Sequence, residues 1–244
     1  MRRLLVAIGC LTILPFGARG AVTDEDCGGS LLWFPVVGLG VGAALVGVHR
    51  ALSPLLSQPV VAAILLIAWA VLTGAMHLDG FGDLCDGLYG GKTPAARLTI
   101  MKDPHIGVMA VVAIGCLLML KFALLGSLTT RGVMVRALLL SPCLGRWSMV
   151  LLATTMPYAR AEGGTGAPFV RSACVSSLIV ATAIALAAAW GIGGGRGLVV
   201  CVIAVGISLI LRRVCGRLLG GITGDGLGAV GELVEAGVLI GCVV

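Results

Sequence analysis

Seven runs of apolar residues, separated by glycine-rich or charged breaks, account for most of this chain. They run from Leu31 to His49, Val60 to Met76, Ile106 to Leu128, Val133 to Met156, Cys174 to Ile192, Leu198 to Leu211 and Leu227 to Val244. A helix needs roughly 20 apolar residues to cross a hydrocarbon layer, so each run is a candidate span, with the sixth and seventh short. A leading segment, Leu4 to Phe16, is too short to cross, lacks a small-residue cleavage site and is followed by Arg19. It predicts an interfacial or partly buried helix that stays on the mature protein rather than a signal peptide. The pattern predicts an all-α, polytopic integral membrane helical bundle of about seven transmembrane helices plus an N-terminal interfacial helix. No internal repeat, low-complexity tract or soluble appendage interrupts it, so residues 1–244 read as a single membrane domain.

Composition agrees with the pattern. Hydrophobic residues make up 59% of the chain and charged residues only 11%, and mean hydropathy is +1.11, against the ~25% charged residues of soluble domains. Nine cysteines are scattered without a CxxC pair or zinc-type spacing, and read as small apolar core residues. The net charge of +6 reports topology rather than nucleic acid, because the basic residues are distributed by side. Two passes separate each of the segments 1–30, 77–105, 157–173 and 212–226 from the next. Together they hold Arg2, Arg3, Arg19, Lys92, Arg97, Lys102, Arg160, Arg171, Arg212, Arg213 and Arg217, 11 of the 17 basic residues. The opposite connections hold Arg50, Arg131 and Arg196, with Lys121, Arg136 and Arg146 inside spans. The positive-inside bias then assigns the first set to the cytoplasm.

The acids lie on that same side, and the bias alone does not explain this. In His77-Leu-Asp-Gly-Phe-Gly-Asp-Leu-Cys-Asp-Gly87, Asp79, Asp83 and Asp86 fall at roughly 0°, 40° and 340° around a helix, on one face. Three like charges beside lipid are unfavourable unless a cation or ligand neutralises them. A second acidic stretch, Gly220-Gly-Ile-Thr-Gly-Asp-Gly-Leu-Gly228, leads into the last run, with Glu232 on the face of Asp225 and Glu235 roughly 60° further round. Two acidic helix faces, in segments 77–107 and 220–235, thus open toward one aqueous boundary. Hard divalent cations such as Mg²⁺ take one or two carboxylates plus waters and substrate phosphates. With Arg and Lys nearby, the arrangement suits a phosphate-containing substrate and phosphoryl-type transfer. A Walker A loop is excluded, since Gly87-Leu-Tyr-Gly-Gly-Lys-Thr93 has Asp86 where that motif needs Gly. A transporter would place acids near the bilayer midplane, usually with structural repeats, and neither is evident.

The stretch Gly74-Ala-Met-His-Leu-Asp-Gly-Phe-Gly-Asp-Leu-Cys-Asp-Gly-Leu-Tyr-Gly-Gly91, continuing through Arg97-Leu-Thr-Ile-Met-Lys-Asp103 to Gly107, closely resembles the signature of the cobalamin 5'-phosphate synthases, or adenosylcobinamide-GDP ribazoletransferases. The likeness recurs in Tyr158-Ala-Arg-Ala-Glu-Gly163, in Gly220 to Glu235, in Leu11-Thr-Ile-Leu-Pro15 and at Phe34-Pro-Val-Val-Gly-Leu39. Pro104-His105 departs from the family pattern, as do Ile222 and Gly226, but none of the motif acids is lost. Asp83-Leu-Cys-Asp-Gly87 also resembles the CDP-alcohol phosphotransferases, whose D-x-x-D-G-x-x-A-R signature needs Ala-Arg where Gly90-Gly91 stand.

The resemblance implies a multi-pass enzyme of the bacterial inner membrane, with its site facing the cytoplasm and Mg²⁺ as cofactor. Its substrates would be adenosylcobinamide-GDP and α-ribazole or its 5'-phosphate, its surroundings the lipid bilayer, with no nucleic-acid partner and a homo-oligomer left open. Asp83 and Asp86 are expected to bind the metal and act in catalysis, with Asp79 and Asp225 as further ligands and Glu232 completing a second metal site or orienting a ligand. The competing expectation is that Asp225 caps the last helix. Arg97 and Lys102 would hold phosphates or serve as positive-inside anchors, and Asp103 would pair with one of them or bind metal. Arg146, inside an apolar span, needs a carboxylate or a phosphate. Tyr158, Arg160, Glu162 and Thr223 are expected at the substrate entrance. His77 is a candidate base for the attacking hydroxyl, or an interfacial anchor. Gly38 and Gly42 read as a helix-packing pair.

Overall fold

A computed structural model describes residues 1–244. The chain is helical throughout, in the order α1 Arg2–Leu11, α2 Asp24–Ser30, a 3₁₀ turn Leu31–Trp33, α3 Phe34–Leu52, α4 Gln58–Leu72, α5 Met76–Gly90, α6 Pro94–Ile100, α7 Val108–Ser127, α8 Arg131–Thr155, α9 Ala167–Arg171, α10 Val175–Leu218 and α11 Gly224–Val243. No strand forms, and one isolated bridge joins Tyr158 to Ile222. The short N-terminal helix α1 is not apolar all round. It buries Val6, Ala7 and Leu11 and exposes Arg2 and Arg3, and Arg2 Nε meets Asp26 at 2.8 Å on the capping box of α2.

By length and composition five helical stretches are able to cross a membrane, Asp24–Leu52, α7, α8, α10 and α11, or six with the bent pair of α4 and α5 counted as one span. Seven were expected from the apolar runs, and the difference has two sources. The run from Val60 leaves helical geometry after Leu72, where Gly74 and Ala75 take φ of 61° and 54°. Helix α5 departs there at 88° to α4. Second, the fifth and sixth runs share one helical element, broken only at Gly194 with φ 56° and ψ −137°. At that break the chain folds back, so that a Cβ on Gly197 would stand 3.2 Å from Ala189 Cα. Both open ends of the hairpin lie together: Ser177 Oγ donates to Gly28 O at 3.4 Å, and Arg212 donates to Thr155 O at 3.4 Å. The fold at Gly193 meets Leu140, in the half of α8 away from Thr155.

Helix α8 is the axis of the bundle, packed by α3, α10 and α11 and buried along most of its length. It carries Pro142 in its interior, which removes one backbone donor and leaves the Leu138 carbonyl, four residues earlier, without its helical partner. Helix α3 closes on that stretch through the expected glycine pair. A Cβ at Gly42 would collide with the Leu138 carbonyl and stand 2.8 Å from Leu139 Cα, and one at Gly38 would collide with the Pro142 carbonyl. Small residues let the two backbones touch, which is how helices gain packing where lipid offers no hydrophobic contrast. All nine cysteines are free thiols; Cys27, Cys143 and Cys215 are buried, while Cys116 and Cys174 are exposed and so are not core residues as expected.

Asp79, Asp83 and Asp225, on α5 and α11, lie with Lys102 and Arg160 at one end of the bundle, while Arg50 and Arg131 line a cleft at the other end with Ser53 and Pro54. Gly38→Val is expected to destabilise the detergent-solubilised protein by about 1–3 kcal/mol, measured by thermal unfolding. Gly40→Ala, with nothing within 4 Å of the added methyl, should leave the midpoint unchanged or slightly raised, and equal loss in both variants would contradict the α3–α8 contact.

Candidate functional site

The two acidic stretches meet because α5 and α11 touch through glycine. A Cβ on Gly80 would stand 2.8 Å from Asp225 Cα, and one on Gly228 would stand 3.1 Å from His77 Cα. The approach to α11 is fixed by a tight turn. Gly220 takes φ 77°, a Cβ on Gly221 would collide with the Pro157 carbonyl, and Ala159 N donates to Ile222 O while Ile222 N donates to Pro157 O, each at 2.9 Å. Thr223, fully buried, caps α11 by accepting from Gly226 N at 3.1 Å. The cap is therefore Thr223 and not Asp225, and Thr223 has no side-chain oxygen left facing solvent. Asp225 lies in the first turn, where the helix dipole favours an anion, and accepts from Arg160 Nη2 at 2.7 Å.

Asp79 and Asp83 line a cavity of about 300 Å³ with Lys102, Asp103 and His105. Asp79 also lines a second cavity, of about 330 Å³, with Asp225 and His77. Neither the Asp79 nor the Asp83 carboxylate makes a hydrogen bond or ion pair with the protein, although the Asp79 backbone N donates to Ala75 O at 2.9 Å. Asp86 differs: its carboxylate accepts from Gly107 N at 2.7 Å and Ala110 N at 2.9 Å, at the N-terminus of α7. That bond anchors the α6–α7 loop over α5, and each carboxylate oxygen keeps a second lone-pair site.

The basic residues divide as well. Lys102 pairs with Glu162, whose carboxyl is held below its ordinary pKa chiefly by that bond. Asp103 accepts from His105 N at 2.9 Å and lies 2.6 Å from His105 Nδ1, and these bonds, the backbone one first, lower its pKa. Asp103 therefore pairs with His105, two residues on, and of the two expected roles the pairing with Lys102 or Arg97 does not form. Arg97 is turned away from both cavities and donates to Leu218 O at the end of α10, at 3.1 Å. Tyr158 stacks beneath Arg171 at 5.8 Å, and burial raises its phenol pKa.

Glu232 is not brought to the aspartates. It lies buried two turns deeper, with Lys121 Nζ 2.6 Å from a carboxylate oxygen of both Glu232 and Glu235. Seven residues preserve the helix face but add ~10 Å along the axis. Arg146, fully buried, has the carboxylate it needs in Glu235. Lys121 also sits 4.9 Å above the Trp69 ring. Two cations and two anions thus neutralise one another inside the bundle. His77 joins this group through Nδ1, 3.2 Å from Arg146 Nη2. A guanidinium only donates, so Nδ1 accepts and the ring proton is assigned to Nε2. In this arrangement His77 offers a donor toward the second cavity, not a free base. Lys121 had no assigned role in the sequence; its signal was a lone ammonium in an apolar run, the same one that marked Arg146.

The aspartate face suits a hard cation. Its donors are all carboxylate oxygens contributed by two helices, and Asp79 and Asp83 have no protein cation of their own. No three of these groups close on one point as a ready-made cage. Mg²⁺ does not require one, since it keeps waters and binds through one or two carboxylates plus substrate phosphates.

A family model described as cobalamin-5-phosphate synthase matches residues 3–243. The chain is similar to proteins named adenosylcobinamide-GDP ribazoletransferase from several bacteria. It is 38% identical to that of Syntrophobacter fumaroxidans over 94% of this chain and 93% of the relative. It is 40% identical to that of Stutzerimonas stutzeri over 99% and 97%, and 40% identical to that of Pseudomonas aeruginosa strain PAO1 over 98% and 97%. No solved structure matches.

Removing one member of the buried charge group should be far worse than removing a matched pair. Glu232→Ala, which leaves Lys121 underneutralised, is expected to cost about 3–5 kcal/mol. The double variant Glu232→Leu with Lys121→Leu should recover part of that loss. Thermal unfolding of the purified single and double variants measures the coupling, and additive losses would deny that the pair acts as a unit.

Proposed function

The chain belongs to the cobalamin-5-phosphate synthase family, and on that footing we propose that it is a ribazoletransferase acting on adenosylcobinamide-GDP, at a Mg²⁺-dependent site on the cytoplasmic face of a bacterial inner membrane. A ribose hydroxyl oxygen of α-ribazole, or of its 5'-phosphate, attacks the phosphorus that carries cobinamide. As that P–O bond forms, the bond from the same phosphorus to the bridging oxygen breaks, and GMP leaves with the bridging oxygen. The hydroxyl proton passes to water or to a carboxylate of the α5 face. The product is adenosylcobalamin or its 5'-phosphate, the last assembly of the nucleotide loop.

The observation that supports this best is the meeting of Asp79, Asp83 and Asp225 beside Lys102, His105 and Arg160. Asp79, Asp83 and Asp225, with Asp86 behind them, would hold the Mg²⁺, whose Lewis acidity neutralises phosphate oxygens. Lys102 and Arg160 hold the remaining phosphate oxygens. Each already has a carboxylate partner, Glu162 or Asp225, so neither cation is left unpaired before substrate arrives. The backbone clamp between residues 157–159 and Ile222 holds Arg160 over Asp225, so positioning comes from the fold rather than from the substrate. The cytoplasmic assignment follows from the basic residues crowding the end of the bundle that carries the site.

Purified protein in detergent with Mg²⁺, adenosylcobinamide-GDP and α-ribazole should release GMP, and chelation of the metal should stop it. Asp83→Asn should lower turnover by roughly 10²-fold or more while the protein remains folded and membrane-inserted. Absence of GMP release, alongside turnover on a CDP-linked lipid, would replace this function with that of a CDP-alcohol phosphotransferase.

A further inference from the structure

The two cavities that share Asp79 have opposite chemistry. The first carries Lys102 and His105 on its rim. The second has two acids, Asp79 and Asp225, at one end, no Lys or Arg in its lining, and walls of Leu11, Phe34, Met149, Phe169 and Leu227. Phe34 and Phe169 form the aromatic part of that wall, with ring centroids 6.0 Å apart and planes tilted by 56°. Gly166 lets the 158–166 loop close the cavity against Gly224, where a Cβ would stand 2.8 Å from Gly224 Cα. Thr165, exposed, stands at its mouth.

We propose that this second cavity is the acceptor slot: it takes the planar, weakly polar bicyclic base of the ribazole nucleoside, with the sugar at the Asp79 and Asp225 end. The inference rests on the transferase function above and assigns one of its two substrates to a place. Four physical points support it. The cavity's ~330 Å³ is at the small end of ligand sites and holds a bicyclic ring but not a corrin macrocycle. Its walls are aromatic and aliphatic, so a flat apolar ring is stabilised by burial and by edge or stacked contact. With no Lys or Arg in its own lining, it offers the donor's diphosphate no basic side chain, whereas the cavity with Lys102 does. Finally, the two cavities meet at Asp79, so a sugar hydroxyl held at the acidic end of one faces a phosphate held in the other. Guanine is also flat and bicyclic, but its ring of donors and acceptors would go unpaired against these walls.

The test measures binding and turnover separately. Titration calorimetry on the protein in detergent reads the affinity for α-ribazole and for GMP in wild type, Phe169→Ala and Thr165→Trp. Both substitutions are expected to weaken α-ribazole by about tenfold or more, to leave GMP affinity unchanged, and to raise the KM for α-ribazole but not that for adenosylcobinamide-GDP. Thr165 is exposed, so Thr165→Trp decides the matter if Phe169→Ala fails to fold. Weaker GMP binding with α-ribazole unaffected would assign the slot to guanine and overturn the proposal, as would no effect on either ligand. Failure of the transferase function is a separate result, read as absence of GMP release by the wild-type protein.

Discussion

Helices α5 and α11 are in contact through their backbones, Gly80 against Asp225 and Gly228 against His77, and the site exists only because of that contact. Residues nearly 150 positions apart must present carboxylates to a common space, and carboxylates left to themselves repel. Backbone contact is a device suited to this, since it needs no side chain between the helices and so leaves the acids free to project to either side. Any Cβ at Gly80 would push α11 away and open the face. The turn that delivers α11, with Gly221 tight against Pro157 and Thr223 buried as cap, fixes its height as well as its direction.

The cohesion that opposes this repulsion lies deeper. Lys121 on α7, Arg146 on α8 and Glu232 and Glu235 on α11 neutralise one another in the bundle interior. Arg146 reaches His77 on α5 and Lys121 covers Trp69 on α4. Five helices are thereby tied at one level. A buried charge group is a weak source of net stability, because desolvation offsets most of its Coulomb energy, but it is intolerant of any other pairing. Its value here is register: α11 cannot slide by a turn without stranding a buried charge unpaired in the bundle interior, and a slide by a turn would carry Asp225 away from Asp79 and Asp83.

Much of this was legible in the sequence where periodicity or a family motif carried the information. The shared face of Asp79, Asp83 and Asp86 follows from helix geometry, and the need of Arg146 for a partner follows from burial in an apolar run. The failures share a cause, which is that helical angle says nothing about depth or about who competes for a side chain. Glu232 shares the face of Asp225 but lies too far along the axis to join it, and Lys121 takes it. Asp86 shares the face of Asp79, yet the α7 N-terminus claims its oxygens, an arrangement no local pattern announces. Arg97 sits in the motif beside Lys102, but the carbonyl that ends α10 is closer to hand. Apolar runs likewise located the helices, and the break between the fifth and sixth runs falls where Gly194 turns the chain back; the joint they missed is the left-handed Gly74 and Ala75 that turn α5 aside.

Following the acids one by one locates where charge remains uncompensated. Asp26 has Arg2, Glu162 has Lys102, Asp103 has His105, Asp225 has Arg160, and Glu232 and Glu235 share Lys121 and Arg146. Asp86 has the backbone N–H groups that begin α7. Asp24 and Glu25 sit exposed in the first turn of α2, where the helix dipole favours them. Asp83 is left with neither a partner nor such a position; Asp79, in the first turn of α5, has the helix dipole but no side-chain partner, and the two line the same cavity. A chain that pairs its other buried carboxylates with cations, even deep inside the bundle, leaves these two lining one cavity with no side-chain partner, where like charges repel. Residues that break a local rule without a compensating contact are expected where function requires it. Here the missing contact is a positive charge, and both the cation and the phosphate-bearing substrate of the proposed reaction bring groups that these oxygens and their neighbouring Lys102 can receive.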